Sequence, residues 1–306
     1  MRTFQPSYLR LHETGELARR ISAARETLRD CTLCPWQCRV NRLEGKKGVC
    51  RVGELPVVSS FGPHFGEERP LVGRHGSGTI FLTWCNLRCV FCQNYDISHL
   101  GEGEEVTVAR LGEMMVSLWR QGCHNINFVT PTHQVAQILA ALPYAVERGM
   151  DIPLVYNCGG YEEPATLRLL DGIFDIYMPD FKYGDSETAQ RLSGAPRYVE
   201  TAKEAVREMH RQVGDLVLDE RGIAVRGLIV RHLVLPGGLA GTRRVMGFIA
   251  RELSPDTYVN IMDQYRPCFK AAVHPPLDRR VTVQEFNEAV AIAQEEGLRR
   301  LDGITA

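Results

Sequence analysis

The chain has 306 residues, 44% of them hydrophobic, with 36 basic and 37 acidic side chains and a formal charge of −1. That length buries a large core and suits one big α/β domain, alone or with a small appendage. The even balance of charge gives no global field to draw nucleic acid or an anionic membrane, so neither is expected as a partner. The opening MRTFQPSYLRLHETGELARR lacks an apolar leader segment, and no later apolar run is long enough to span a bilayer, so a soluble cytoplasmic chain is expected.

In chain order, residues 7 to 28 read as one polar amphipathic helix, with Leu9, Leu17, Ile21, Ala24 and Leu28 near one face. A cysteine-rich segment follows. Ten cysteines without an export signal argue for metal or redox chemistry over a disulfide framework, and seven of the ten fall in two tight groups. The first group, Cys31, Cys34, Cys38 and Cys50, has a compact four-thiolate spacing that closes either a tetrahedral zinc site or an auxiliary iron–sulfur cluster. From 31 to 78 the chain is dense in Gly and Pro, with short extended pieces such as LPVVSSF. Metal binding would supply much of the folding free energy of such a segment, which favours a structural site slightly. The expected division is 1–77, an amino-terminal helix and cysteine-rich metal-binding lobe, and 78–306, a barrel domain.

From Gly78 onward β-rich runs alternate with helical periods, the pattern of repeated βα units on a parallel sheet. Strands are expected at 79–84, 125–130, 153–157, 174–178, 227–234 and 257–262. Between them Leu111, Met114, Met115, Leu118 and Trp119, and then Val135, Ile138, Leu139 and Leu142, repeat at helical spacing. Thr282 and Glu285 form a capping box ahead of the last helix. Six units predict an α/β fold, a partial (β/α)6 TIM-like barrel, with a flat doubly wound sheet as the alternative closure.

The second cysteine group, Cys85, Cys89 and Cys92 in TIFLTWCNLRCVFCQN, lies just past the first strand, where such folds gather their chemistry. A complete cubane takes four thiolates, so three leave one iron open. A zinc knuckle or inert buried thiols is the plain alternative. Cys-x3-Cys-x2-Cys with Phe91 before the last cysteine resembles the radical S-adenosylmethionine (SAM) signature, and the chain from about 78 to 270 is similar to pyruvate formate-lyase activating enzyme-like proteins. The resemblance implies a [4Fe-4S] cluster whose open iron chelates the amino and carboxylate groups of SAM. It further implies reductive cleavage of SAM to a 5′-deoxyadenosyl radical, hydrogen abstraction from a substrate, and a flavodoxin or ferredoxin-type electron donor. One departure stands out. Where the family carries a Gly-Gly-Glu-like stretch pairing with the methionyl amine, this chain reads FVTPTHQ, so Thr130, Pro131 and Thr132 are the expected substitute.

Polar groups punctuate the other strand ends. Asn157 in YNCGGY can bond a carboxylate or ribose, and Gly159 and Gly160 admit close approach, unless the segment is only a turn. Asp180 and Lys182 in MPDFKY point to one side of an extended piece. The resemblance makes them cofactor or substrate contacts, with a surface ion pair as the bland reading. Arg231 and His232 sit in an apolar run where an unpaired charge is expensive. Arg231 is expected to meet the methionyl carboxylate through its fork, and His232 to be a packed or hydrogen-bonded core residue. Near the last strand, Tyr265 and Cys268 are candidates to relay a hydrogen atom, with Lys182 as a third candidate catalytic group. The leading function is an activase-like radical SAM oxidoreductase acting on a protein or peptide. The alternatives are radical chemistry on a small-molecule metabolite, or a non-catalytic iron–sulfur electron-transfer or assembly protein.

Overall fold

The computed structural model describes residues 4–302. Among them the strands are β1 (Val57–His64), β2 (Ser77–Leu82), β3 (Glu104–Glu105), β4 (Ile126–Val129), β5 (Leu154–Cys158), β6 (Ile176–Pro179), β7 (Val217–Leu218), β8 (Ala224–Leu233), β9 (Tyr258–Met262) and β10 (Arg300–Leu301). The helices are α1 (Ser7–Glu13), α2 (Glu16–Glu26), α3 (Arg69–Val72), α4 (Val108–Arg120), α5 (Val135–Val146), α6 (Pro164–Leu169), α7 (Ser186–Ser193), α8 (Tyr198–Val213), α9 (Thr242–Phe248) and α10 (Val283–Glu295).

One sheet runs β10-β9-β8-β6-β5-β4-β2-β1-β3, with β7 hanging on β8. From β2 to β10 every pairing along that path is parallel; β1 joins β2 antiparallel, and β3 joins β1 the same way. The path does not return on itself, so the sheet is an open, partial barrel with helices outside, as expected. Successive side chains alternate between faces. Ile126 and Phe128, Leu154 and Tyr156, and Leu228 and Val230 join the large core under the helices. Val155, Ile176, Met178 and Ile229 form a second buried cluster on the inner face, with Leu71 of α3 inserted among them. The loop between β1 and β2 therefore plugs the inside of the barrel, a role its sequence does not announce.

Three expectations need correction. The helix expected over 7–28 is two, broken at Thr14-Gly15, where Gly15 takes a left-handed φ of 74°. Glycine adopts that conformation without a Cβ clash. The extended piece LPVVSSF, expected within a small lobe, runs from Val57 into β1 and so belongs to the main sheet. The boundary at 77/78 does not separate two cores, because Tyr8, Leu17, Ala24, Leu28, Cys31 and Leu33 belong to the same buried cluster as the parallel strands. The Tyr8 hydroxyl donates to the Ile152 carbonyl at 2.9 Å, and Ser7 donates through its hydroxyl to Asp175 at 2.6 Å, which fixes α1 beside the starts of β5 and β6. Among the described residues no helix is long and apolar enough to cross a membrane.

Candidate active site

The triad loop leaves β2 through Thr83, whose amide still bonds the Val57 carbonyl, and through Trp84, left-handed at φ 70°. Two amides of the loop, Arg88 and Val90, then donate to the carbonyls of Ser193 and Leu192 at the end of α7. On the other side the segment after β9 covers it. Lys270 donates its amide to the Val90 carbonyl at 2.8 Å, and the Phe269 ring stacks on Tyr95 at 5.3 Å.

Each sulfur of the triad has a polar neighbour. The Leu87 amide donates to Cys85 Sγ at 3.3 Å, the Ser193 hydroxyl donates to Cys89 Sγ at 3.0 Å, and Cys92 Sγ lies 3.0 Å from Ser98 Oγ. Such donors suit thiolates. Burial pushes the Cys85 thiol up to about 12 and raises that of Cys89 despite nearby Lys182, so anionic sulfur here calls for further positive charge. Among the described residues no three Cys, His, Asp or Glu side chains converge on a single metal ion. A cubane places each thiolate on a different iron, so the donor set fits a [4Fe-4S] cluster held by Cys85, Cys89 and Cys92.

Beside the triad, the strand ends build a buried charge network. Arg231 of β8 donates through Nε to Asp180 Oδ1 at 2.7 Å and through Nη2 to Asn157 Oδ1 at 2.6 Å, with Glu67 at 3.5 Å. Lys182 Nζ meets Asp180 Oδ2 at 2.6 Å. Burial alone would raise the Asp180 carboxyl, but Arg231 and then Lys182 overcome it and hold the group below its ordinary value. Burial alone would lower Lys182, but Asp180 and then Cys89 together overcome it and raise the ammonium above its ordinary value. The Tyr198 hydroxyl locks the two strand ends together: it accepts from the Lys182 amide, and its oxygen lies 2.9 Å from the carbonyls of both Gly159 and Asp180.

Asn157, Asp180, Lys182 and Arg231 thus meet, but the fork of Arg231 is already engaged by protein groups. Thr130, left-handed at φ 60°, gives its amide to the Asn157 carbonyl. The Thr132 hydroxyl is turned away from the mouth and donates to buried Glu162 at 2.7 Å. Next to it His133 bonds the Thr83 carbonyl, and Gln134 clamps both polar groups of Val57. Tyr265 is buried with its hydroxyl on the Leu277 carbonyl at 2.6 Å, and its ring packs on Phe91 of the triad loop. Cys268, half-buried, precedes Phe269 on the segment that covers that loop. His232 is a core histidine bonded to the Phe181 carbonyl and Thr242, and burial lowers its ring to about 4.

The sequence profile of the radical SAM superfamily matches residues 79–220. A Methanocaldococcus jannaschii protein, "Uncharacterized protein MJ0674", is 35% identical over 288 residues, which is 91% of this chain and 78% of that protein. The chain belongs to the radical SAM superfamily. A radical SAM methyltransferase from Sphaerobacter thermophilus shares the fold at a TM-score of 0.52 and 16% identity, over 74% of this chain and 65% of that one. The chain therefore spans just under two thirds of that structure. Native anSMEcpe with bound AdoMet aligns at a TM-score of 0.48 and 8% identity, over 70% of this chain and 57% of its own. Membership implies a [4Fe-4S] cluster and SAM. Sequence reasoning missed Glu162, and Glu67, Glu68 and Tyr198, which reach the site from distant segments. Only Glu162, in NCGGYEE beside Asn157, carried a local signal.

Proposed function

We propose that this radical SAM chain cleaves SAM reductively and abstracts a hydrogen atom from a protein or peptide, as an activase-like oxidoreductase. The observation that carries the reading is the triad of sulfurs, Cys89 buried and Cys85 and Cys92 half-buried, each met by a hydroxyl or amide, beside the Asn157, Asp180, Lys182 and Arg231 network. When bound, the cluster supplies the one-electron cleavage of SAM to methionine and a 5′-deoxyadenosyl radical, drawing on a flavodoxin or ferredoxin-type donor.

The chain's own residues bind and orient. Cys85, Cys89 and Cys92 would hold the cluster. In the 130–132 segment the Pro131 carbonyl already takes the Gln134 amide, so the carbonyls on either side of it are the acceptors offered to the methionyl amine. Lys182, partly open to the cleft, attracts the methionyl carboxylate, and Arg231 acts by fixing Asp180 and Asn157. Asn157 and the backbone at Gly159 and Gly160 receive the nucleoside. Tyr265 and Cys268 stand beside the triad loop as candidate hydrogen-atom relays. A protein substrate is supported by exposed Leu100 and Val273, which sit on the two segments that meet where His99 packs on Phe269. Cys31, Cys34, Cys38 and Cys50 hold a second metal centre.

The test is anaerobic reconstitution, reduction with dithionite and assay for 5′-deoxyadenosine. Wild type is expected to form it and Cys85→Ala to form none. Equal behaviour of the two proteins would end the radical reading. Adding the macromolecular fraction of a cell extract should stimulate turnover; stimulation by the low-mass fraction alone would turn the reading to a metabolite.

A further inference from the structure

Cys31, Cys34, Cys38 and Cys50 lie outside the cleft, yet their surroundings repeat those of the triad. Cys31-x2-Cys34-x3-Cys38 spans eight residues, the span of Cys85-x3-Cys89-x2-Cys92 with the spacing reversed, and Cys50 comes from a separate turn. Three ligands from one loop and a lone fourth differ from the paired knuckles usual in zinc modules. Cys31, Cys34 and Cys50 are buried, and Cys38 is half-exposed.

The backbone is bent around these sulfurs at some cost. Of seven non-glycine residues with positive φ among the described residues, Gln37 and Arg39 flank Cys38, Arg51 follows Cys50 and Trp84 precedes Cys85. Left-handed backbone is strained for such residues, and strain of this kind persists where a site requires it. Here it accompanies polar hydrogens aimed at sulfur. The Val49 amide donates to Cys38 Sγ at 3.4 Å, and buried Arg42 points Nη1 at Cys31 Sγ from 3.9 Å. A side chain at Gly48 would come within 2.8 Å of Cys38 Sγ, so glycine is what lets the backbone close over this ligand.

Two features select the occupant. Tetrahedral zinc draws four sulfurs to about 2.3 Å from one ion, whereas a cubane seats each thiolate on its own iron, which suits three ligands spread along one loop and a fourth from a separate turn. The quartet is also joined directly to the triad loop. Trp36 Nε1 donates to the carbonyl of Asn86, the residue after Cys85, at 2.6 Å. Arg88, between Cys85 and Cys89, donates to the carbonyl of Val49, the residue before Cys50.

We infer that Cys31, Cys34, Cys38 and Cys50 hold a second [4Fe-4S] cluster, close enough to the triad centre to pass it an electron. The passing of an electron rests on the reading of the triad as a cluster site; the occupant of the quartet does not. A low-potential one-electron donor of ferredoxin or flavodoxin type reduces the second cluster from its 2+ to its 1+ state. The electron then moves to the triad centre and the second cluster returns to 2+, with no proton transferred. Half-exposed Cys38 marks the side from which the donor approaches.

Metal analysis of reconstituted wild type is expected to give about eight irons per chain and no zinc, and the dithionite-reduced protein an EPR spectrum broadened by coupling between two clusters. Cys38→Ser should lose the broadening and the iron of one cluster. With reduced flavodoxin as donor it should lose most of its 5′-deoxyadenosine formation, while titanium(III) citrate, reducing the triad centre directly, restores it. Equal dependence on the two reductants would overturn the relay. If Cys38→Ser does not fold, wild type still decides: about four irons with one zinc per chain overturns the second cluster. Four irons with active SAM cleavage sinks this inference and leaves the proposed function standing. Eight irons without 5′-deoxyadenosine does the reverse.

Discussion

Glu162 is fully buried behind the cofactor cleft, where its carboxylate accepts from Thr132 at 2.7 Å and from the Tyr156 hydroxyl at 2.8 Å. Burial is the stronger influence and pushes the carboxyl from 4.5 up to about 7 against those hydrogen bonds. Below pH 4.5 the group is neutral in folded and unfolded chains alike, and its contribution to stability is fully present. As pH rises from 4.5 to 7 the unfolded chain releases the proton while the folded one retains it, so that contribution is lost, by an amount of about 3 kcal/mol. Glu162→Gln keeps the shape and removes the titration, with the Tyr156 hydroxyl free to turn and accept. Thermal unfolding should therefore show the variant gaining on wild type between pH 5 and pH 8. A difference independent of pH would mean that Glu162 is ionised throughout. The same pairing holds the Thr132 side chain on a partner 30 residues away, which no local signal announces.

At the scale of elements, the short helix α3 is a plug. Leu71 is fully buried on the inner face against Val155, Ile176, Met178 and Ile229, while Glu68, at its amino-terminal edge, accepts from Asn260 of β9 at 2.9 Å. Leu71→Ala should cost about 2–5 kcal/mol, because strands paired on both sides cannot collapse into the space. Urea unfolding measures it, and a loss well under 1 kcal/mol would show that α3 rests on the sheet without filling it. The parallel strands were legible because short β-rich runs between helical periods are what strands buried on both faces look like. Polar residues in or just past those runs made Asn157, Asp180, Lys182 and Arg231 legible as a group. The plug was not, since Arg69-Pro70-Leu71-Val72 is too short for a period and its apolar residues gain meaning only from the cavity they fill. The break between α1 and α2 left one local sign, Gly15, inside a pattern that otherwise continues across it.

For the whole molecule, the question is whether the amino-terminal 76 residues form an appendage or part of the barrel. Tyr8, Leu17, Leu28 and Leu33 are all buried in the common core. Each such side chain contributes about 1.5–3 kcal/mol on burial, an upper figure given the compactness of unfolded chains. Removing them also strips partners from groups that stay buried: the Asp175 carboxylate loses Ser7, the His133 carbonyl loses Arg42, and the Gln134 amide loses Val57. Each orphaned group costs about 1–3 kcal/mol more. A domain's entire net stability is about 5–15 kcal/mol, so the loss is comparable with the whole. A chain starting at Ser77 should therefore retain far-ultraviolet dichroism but lose its near-ultraviolet signal and bind a hydrophobic dye, the behaviour of a collapsed state without fixed packing. Cooperative unfolding of that fragment would instead make the barrel self-sufficient. The cysteine-rich segment would then be a module docked on the triad loop, where the structure has Cys31 and Leu33 of that segment buried in the common core.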